Sequence, residues 1–387
     1  MHTAKNYHWR IAGFYFFYYA FVGMFAPYWG LYLKSVHFGA IDIAILMSIQ
    51  PVMRMVAPNI WGWLADHTGK RQLVVQFAAG LSAICYLGVF TTTGFWGLFL
   101  VLAMMGFFWS ASMPLVEANT LSYLGKGATH YGRIRSWGSV GFIVSVVGLG
   151  YAFDHVAIAW LLWAGLVCEV GIFLFSRQMP RTEVLAHHTD HQPILSIMLQ
   201  PQVLMLFGAC FLMSVAHGPY YTFYSINLVD HQYSKTAVGV LWAIGVICEI
   251  GVFFLMHRLV ERWGYTRILV ASFAAAVVRF TLIGWGVDWI LLLLLAQVLH
   301  AMSFGSYHAA SLGLVHEFFQ GRHQSRGQAL FGALTYGAGN VVGSLLSGPI
   351  WKHYGATTLY SFSAAMALVG LLLMWRKHRM GQRQSFA

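Results

Sequence analysis

Gly62-Trp63-Leu64-Ala65-Asp66-His67-Thr68-Gly69-Lys70-Arg71 stands between two long apolar runs, and its pattern returns once in the other half of the chain. The return is Arg258-Leu259-Val260-Glu261-Arg262-Trp263-Gly264-Tyr265-Thr266-Arg267. Asp66 and Glu261 are 195 positions apart, and the pairs Arg54 with Glu249 and Gly132 with Gly327 keep that offset. Three matches at one offset in mostly apolar sequence read as one plan used twice. In each copy an acid at a helix end can hold nearby arginines, and glycine permits the tight turn.

Outward from these loops the chain is hydrophobic at 58% of its 387 positions and charged at 9%, with a mean hydropathy of +0.64. A membrane-crossing helix needs about 20 mostly apolar residues. Twelve stretches meet that need: 9–33, 40–63, 72–92, 95–122, 132–153, 156–176, 198–226, 236–257, 268–286, 289–316, 328–350 and 356–375. The first is too long, and its flank too poor in small residues, for a cleaved signal peptide. The predicted fold is an all-α integral membrane protein with twelve transmembrane helices. Residues 1–180 form an N-terminal six-helix bundle, 181–195 a cytoplasmic central loop, and 196–387 a C-terminal six-helix bundle. Parallel repeats of this kind are a common transporter plan.

A net charge of +11 invites a nucleic-acid reading, but the placement of the charge opposes it. With an even number of spans both termini share one side. That side collects eighteen basic residues: Lys5, Arg10, Lys70, Arg71, Lys126, Arg133, Arg135, Arg177, Arg181, Arg258, Arg262, Arg267, Arg322, Arg326, Arg376, Lys377, Arg379 and Arg383. The other side has Lys34, Lys235 and Lys352. This asymmetry is the positive-inside signature and places both termini in the cytoplasm. The basicity is a topology signal, and no nucleic-acid partner is expected. Cys85, Cys168, Cys210 and Cys248 all fall inside spans without disulfide or zinc spacing. His187, His188, Asp190 and His191 read as a solvated linker, so no metal is expected. No nucleotide loop or nucleophile triad occurs. No cofactor and no enzymatic activity are expected.

Charges inside the spans are costly, about 2.5–3.5 kcal/mol each when unpaired on insertion scales, and mark function by default. They are Arg54, Glu117, Glu169, Glu249, Arg279 and, nearer an end, Glu317. Glu117 and Arg135 lie equally far from Lys126, the centre of the turn between helices four and five. An antiparallel hairpin then sets them at similar depth, where a guanidinium fork suits a carboxylate or paired hydroxyls. Arg54 lies one turn from Gln50 and is a candidate for an anionic solute or a glutamate. Glu169 is expected to have a structural partner, and His308 is a candidate cavity residue. Tyr15, Tyr18 and Tyr19, with Tyr220, Tyr221 and Tyr224, fall at helical spacings that can line a ring-stacking pocket.

The first loop resembles the signature of the major facilitator superfamily, with Gly62, Asp66, Gly69 and Arg71 as its cytoplasmic gate, and the second loop resembles a degraded copy. Tyr131-Gly132-Arg133-Ile134-Arg135-Ser136-Trp137-Gly138-Ser139-Val140-Gly141, with Glu117 upstream, resembles the helix-four/five region of the lactose permease family. That resemblance implies substrate binding by Glu117 and Arg135, with Phe142 at the position of a stacking aromatic. Ala216-His217-Gly218-Pro219-Tyr220-Tyr221-Thr222-Phe223, followed by Gly239 through Trp242 to Glu249, is more similar to the phenylpropionate permease family. Val278-Arg279-Phe280 and Leu299-His300-Ala301 resemble a proton-coupling region, which implies that role for Glu249, Arg279 and His300, with Glu117 also a candidate. The helix-ten carboxylate of the lactose permease family falls here at Ser303, which cannot carry a proton in that way.

The expected function is secondary transport of a small organic solute by alternating access in a bacterial inner membrane. Proton symport of an aromatic carboxylate such as 3-phenylpropionate is expected by resemblance. Arg135, Arg54, Glu117, Phe142, Tyr220 and Tyr221 are the candidate binding residues. A sugar or nucleoside symporter, an exporter, and a non-transporting membrane sensor are the alternatives. The expected partners are the solute, protons and the lipid bilayer, with the chain acting as a monomer.

Overall fold

The computed structural model describes residues 2–125, 130–180 and 194–385, and every regular element among them is helical. Lys126 and residues 181–193, which hold Arg181, His187, His188, Asp190 and His191, lie outside the described residues. Six helices precede that gap: α1 (His2–Ser35), α2 (Ala40–Thr68), α3 (Arg71–Tyr86), α4 (Phe95–Leu124), α5 (Tyr131–His155) and α6 (Leu161–Ser176). Four long ones follow. They are α7 (Pro201–Asp230), α8 (Lys235–Trp285), α9 (Ile290–Phe318) and α10, which runs on from Gln324–Gly332 through Ala333–Gly339 to Asn340–Ser385.

The twelve expected spans thus appear, among the described residues, as ten continuous helices long and apolar enough to cross a membrane. The difference has a simple cause. α8 has 51 residues, which at 1.5 Å per residue is about 75 Å, more than twice the hydrocarbon core of ~30 Å. It is broken at Gly264, with φ 69° and ψ 160°, and α10 is broken in the same way at Gly355, with φ 78° and ψ −178°. Glycine alone adopts these left-handed angles without a side-chain clash. Each long helix therefore supplies two crossings joined by a turn as short as a single residue. The fold is the twelve-helix, all-α membrane architecture.

Two compact units divide the chain: Met1–His188 with Ser234–Val240, and Thr189–Tyr233 with Leu241–Ala387. In the first, α1 packs on α5 and α6, α4 takes both α2 and α3, and α3 also meets α6. Its interior is aromatic: Phe14, Tyr15, Tyr28, Trp29 and Trp109 are buried, while Trp96 and Leu100 on α4 stand outward. In the same unit Asp154 accepts the backbone N–H groups of Lys235 and Thr236 at 2.8 and 3.0 Å, which caps the start of α8.

The second unit is built on α7, of which twenty residues are buried, packed along α10. Two of its helices carry π-type turns, Ala301–Ser306 in α9 and Ala333–Gly339 in α10. Such turns rotate the side chains that follow and are frequent at functional sites. Leu291 on α9 and Phe254 and Trp285 on α8 face outward, as a lipid solvent requires.

Candidate functional site

Polar chemistry inside each unit gathers on a few facing helices. In the first unit α5 supplies Arg135, α4 supplies Glu117 and Trp109, α2 supplies Arg54, and α1 supplies a tyrosine ladder. Arg135 donates from Nη2 to the Tyr19 hydroxyl, and its guanidinium carbon lies 4.0 Å from the Tyr19 ring centroid and 5.6 Å from that of Tyr15. Glu117 instead accepts from the Tyr131 hydroxyl, 3.2 Å from Oε1. No ion pair within 4 Å joins Glu117 to Arg135 among the described residues. Both groups are half-buried and each is held by a tyrosine, which leaves the guanidinium fork open to a further acceptor.

Arg54 is exposed on α2, with its guanidinium 5.0 Å from the Trp109 ring centroid, and Trp109 is stacked on Tyr18 at 4.2 Å. A cation exposed part-way along a membrane helix needs water around it. Gln50, one turn away, is buried with neither amide atom hydrogen-bonded. Phe142 is 8% exposed and lies two turns from Arg135 on α5. Glu169 is fully buried, with the Ser82 hydroxyl beside it and no hydrogen bond of normal geometry to either oxygen.

The second unit holds the other group. Glu249 on α8 and His300 on α9 approach to 3.9 Å. Among the described residues no ion pair within 4 Å joins that glutamate to Arg279, on the other arm of α8. Arg279 is wholly buried, lies 4.2 Å from the Tyr220 ring centroid, and donates from Nη1 to Nε2 of His217 at 3.2 Å. Its Nε and Nη2 have no hydrogen-bond acceptor. Tyr220 donates to Gln297 at 3.1 Å, and Gln297 donates to Tyr224 at 2.7 Å. Trp242 covers Tyr220 at 4.6 Å and donates to Ser225. Tyr221 is half-buried, 6.2 Å from both Trp242 and His217. His300, Phe304 and His308 stack in series along α9, and Nδ1 of His308 lies 2.6 Å from the Tyr336 hydroxyl. Ser303 is buried in the π-turn, its hydroxyl donating to the His300 carbonyl at 3.4 Å.

In the gate motif Gly69 ends α2 at φ 64°, and Arg71 in the first turn of α3 reaches back to Asp66 at 3.7 Å. Gly62 lies two turns before Gly69 on the same helix end. The second copy keeps the left-handed glycine, Gly264, but Glu261 pairs within its own helix with His257 at 3.2 Å.

Sequence reading alone did not single out His217, Gln297, Trp109 or Trp242 as site residues. Gln297 had a visible signal: it is the lone amide in the run Ile290-Leu291-Leu292-Leu293-Leu294-Leu295-Ala296-Gln297-Val298-Leu299. The four cysteines are free, and no cluster of metal-ligand type occurs among the described residues.

Comparison with known proteins agrees with this architecture. Residues 8–362 match the MFS_1 like family. A probable 3-phenylpropionic acid transporter of Escherichia coli (strain K12) is 26% identical over 378 residues, covering 93% of this chain and 94% of that protein. A maltose permease of Geobacillus stearothermophilus is 25% identical over 374 residues, covering 93% and 92%. The crystal structure of a mutant of nucleoside transporter NupG superposes with a TM-score of 0.84 at 16% identity, covering 96% of this chain and 99% of that one. At that identity the likeness concerns the fold.

Proposed function

The chain belongs to the MFS_1 like family, and from that premise we propose that this membrane transporter takes up a small aromatic carboxylate with protons, by alternating access. The observation that carries the reading is the guanidinium of Arg135, 4.0 Å from the Tyr19 ring centroid and 5.6 Å from that of Tyr15, in the same unit as Glu117 on its Tyr131 hydroxyl. A planar fork accepts a carboxylate through two parallel bonds, and adjacent aromatic faces accept a ring. Arg54 over Trp109 offers a second cation of the same kind in the same unit. Phe142 is assigned ring contact with the solute in the first unit, and Tyr220 and Tyr221 form a separate aromatic group of the second unit proposed for the same kind of contact. Glu249, Arg279 and His300 are assigned the proton relay, with Glu117 as the carboxylate coupled to binding.

Burial and a neighbouring cation act in opposite directions on a carboxylate's hold on its proton. A movement that exchanges one for the other takes up or releases a proton, and that is the coupling step. Gly62, Asp66, Gly69 and Arg71 serve as a cytoplasmic latch. The excess of basic residues on one side supports cytoplasmic termini in a bacterial inner membrane, and the working unit is a monomer. The relative from Escherichia coli, a probable 3-phenylpropionic acid transporter by name, supports the substrate class.

A nucleoside or sugar is the second reading. The chain of amide and hydroxyl groups from Tyr220 through Gln297 to Tyr224 suits hydroxylated solutes, and the relative named a maltose permease supports the same class. Uptake of labelled 3-phenylpropionate into proteoliposomes, with and without an inward proton gradient, separates the readings when run beside labelled uridine and maltose. Gradient-driven accumulation of the acid supports the proposal. Accumulation of uridine or maltose in its place selects the second reading, and indifference to the gradient removes proton symport.

A further inference from the structure

Two neighbours determine where the hydrogens of His217 sit. Nδ1 lies 2.8 Å from the carbonyl oxygen of Met213, which can only accept, so Nδ1 carries a hydrogen. Nε2 lies 3.2 Å from Nη1 of Arg279, which can only donate, so Nε2 bears a lone pair. The imidazole is therefore neutral, in one tautomer, and the guanidinium leans on it. A hydrogen added at Nε2 would meet N–H with N–H and set cation beside cation. His217 is 3% exposed and Arg279 wholly buried, so little water is available to screen that encounter. His217 protonated and Arg279 seated are mutually exclusive states.

We propose that His217 accepts the driving proton and that Arg279 is displaced when it does so, which makes His217 a coupling residue beside the Glu249–His300 pair. This rests on the proton symport proposed above. The groups around His217 come from four helices. Tyr221 on α7 itself, Arg279 on α8 and His300 on α9 lie against it; one contact further out are Tyr220 under Arg279, Glu249 beside His300, His308 past Phe304 with Tyr336 of α10, and Tyr360 of α10 beside Tyr220 and Arg279. Among them Glu249 is the carboxylate. Seated, Arg279 has two donors with no acceptor, so a displaced guanidinium gains by turning to a carboxylate, and Glu249 is the one in this group. The step balances. One proton enters at Nε2, the Nη1 to Nε2 bond breaks, the guanidinium keeps its charge, and new bonds form at the carboxylate. Tyr220, under Arg279 and against Trp242, transmits the change to an indole 4.6 Å away.

The test uses the full-length purified protein and its tryptophan fluorescence as pH is lowered, taking the component lost in Trp242→Phe as the Trp242 signal. Wild type is expected to show an acid transition in that signal. His217→Gln keeps an acceptor near the Nε2 position but cannot take a proton there, and is expected to lose the transition, whereas His257→Gln, at an exposed histidine of α8 outside this group, keeps it. Arg279→Gln removes the group whose displacement moves Tyr220 against Trp242 and is expected to lose the transition as well, which also serves if His217→Gln fails to fold. A wild type without the transition, a transition that survives His217→Gln, or one that Arg279→Gln leaves in place overturns the inference. Gradient-driven uptake by wild type is measured in parallel. Its absence strikes the symport reading, while a transition indifferent to His217 strikes this inference alone.

Discussion

Replacing Arg135 by lysine keeps one positive charge and removes everything that depends on its plane. The guanidinium donates to Tyr19 while lying 4.0 Å from the centroid of the same ring. An ammonium is a point charge on a flexible stem, able to give neither the paired bond nor the flat stack. The second arm of the fork to a bound carboxylate is a charge-assisted hydrogen bond of about 1.5–3 kcal/mol. At 1.36 kcal/mol per decade that is about 13- to 160-fold in kcat/KM. The assay is the initial rate of labelled 3-phenylpropionate uptake by proteoliposomes, with 3-phenylpropionamide as a competing inhibitor that lacks the carboxylate. Arg135→Lys is expected to depress uptake of the acid by that factor and to leave inhibition by the amide nearly unchanged. A lysine variant that carries the acid at the wild-type rate, or weakens acid and amide equally, refutes the assignment of the fork to a carboxylate.

Three further outcomes are expected. Glu117→Gln keeps an oxygen for the Tyr131 hydroxyl, 3.2 Å away in the native protein, but has no carboxylate to protonate; it should insert normally and exchange solute without accumulating it, and accumulation at the wild-type level would count against Glu117. Gln297→Leu strands the hydroxyls of Tyr220 and Tyr224, both buried, at a cost of about 1–3 kcal/mol for each left unsatisfied. A thermal unfolding midpoint equal to wild type would show that the relay is not structural. Gly355→Ala forces a side chain into φ 78° and should destabilise by about 1 kcal/mol or more, read as a lower midpoint in the same scan.

The spans and their number were legible because hydrocarbon leaves little choice: long apolar runs must be helices, and breaks between them must be polar or glycine. The motif around Asp66 and Arg71 was legible for a related reason, since charge at a span end announces itself. Partnership was harder. Equal distances of Glu117 and Arg135 from Lys126 speak of depth alone, and rotation about each helix axis then turns Glu117 to Tyr131 and Arg135 to Tyr19. Arg279 shows the same gap. Its neighbour is His217 rather than Glu249, because the Gly264 break and the packing of α7 decide which faces meet. His217 itself carried little signal, for a lone histidine in an apolar helix is ordinarily a packed residue. Only its two short contacts, to a carbonyl and to a guanidinium, reveal a constrained proton inventory.

The single-glycine breaks in α8 and α10 also bear on how this protein can be handled. Where a connection is one residue long, there is little slack for a protease to engage, for an antibody to grip, or for a reporter to be spliced in without prising the two arms apart. Gly264 and Gly355 are thus poor places for a fluorescent insertion or an epitope. The turns at His37 and Gln232, which already hold non-glycine residues at φ 68° and 63°, have connecting residues to spare and are the better sites for labels that must leave the helices undisturbed.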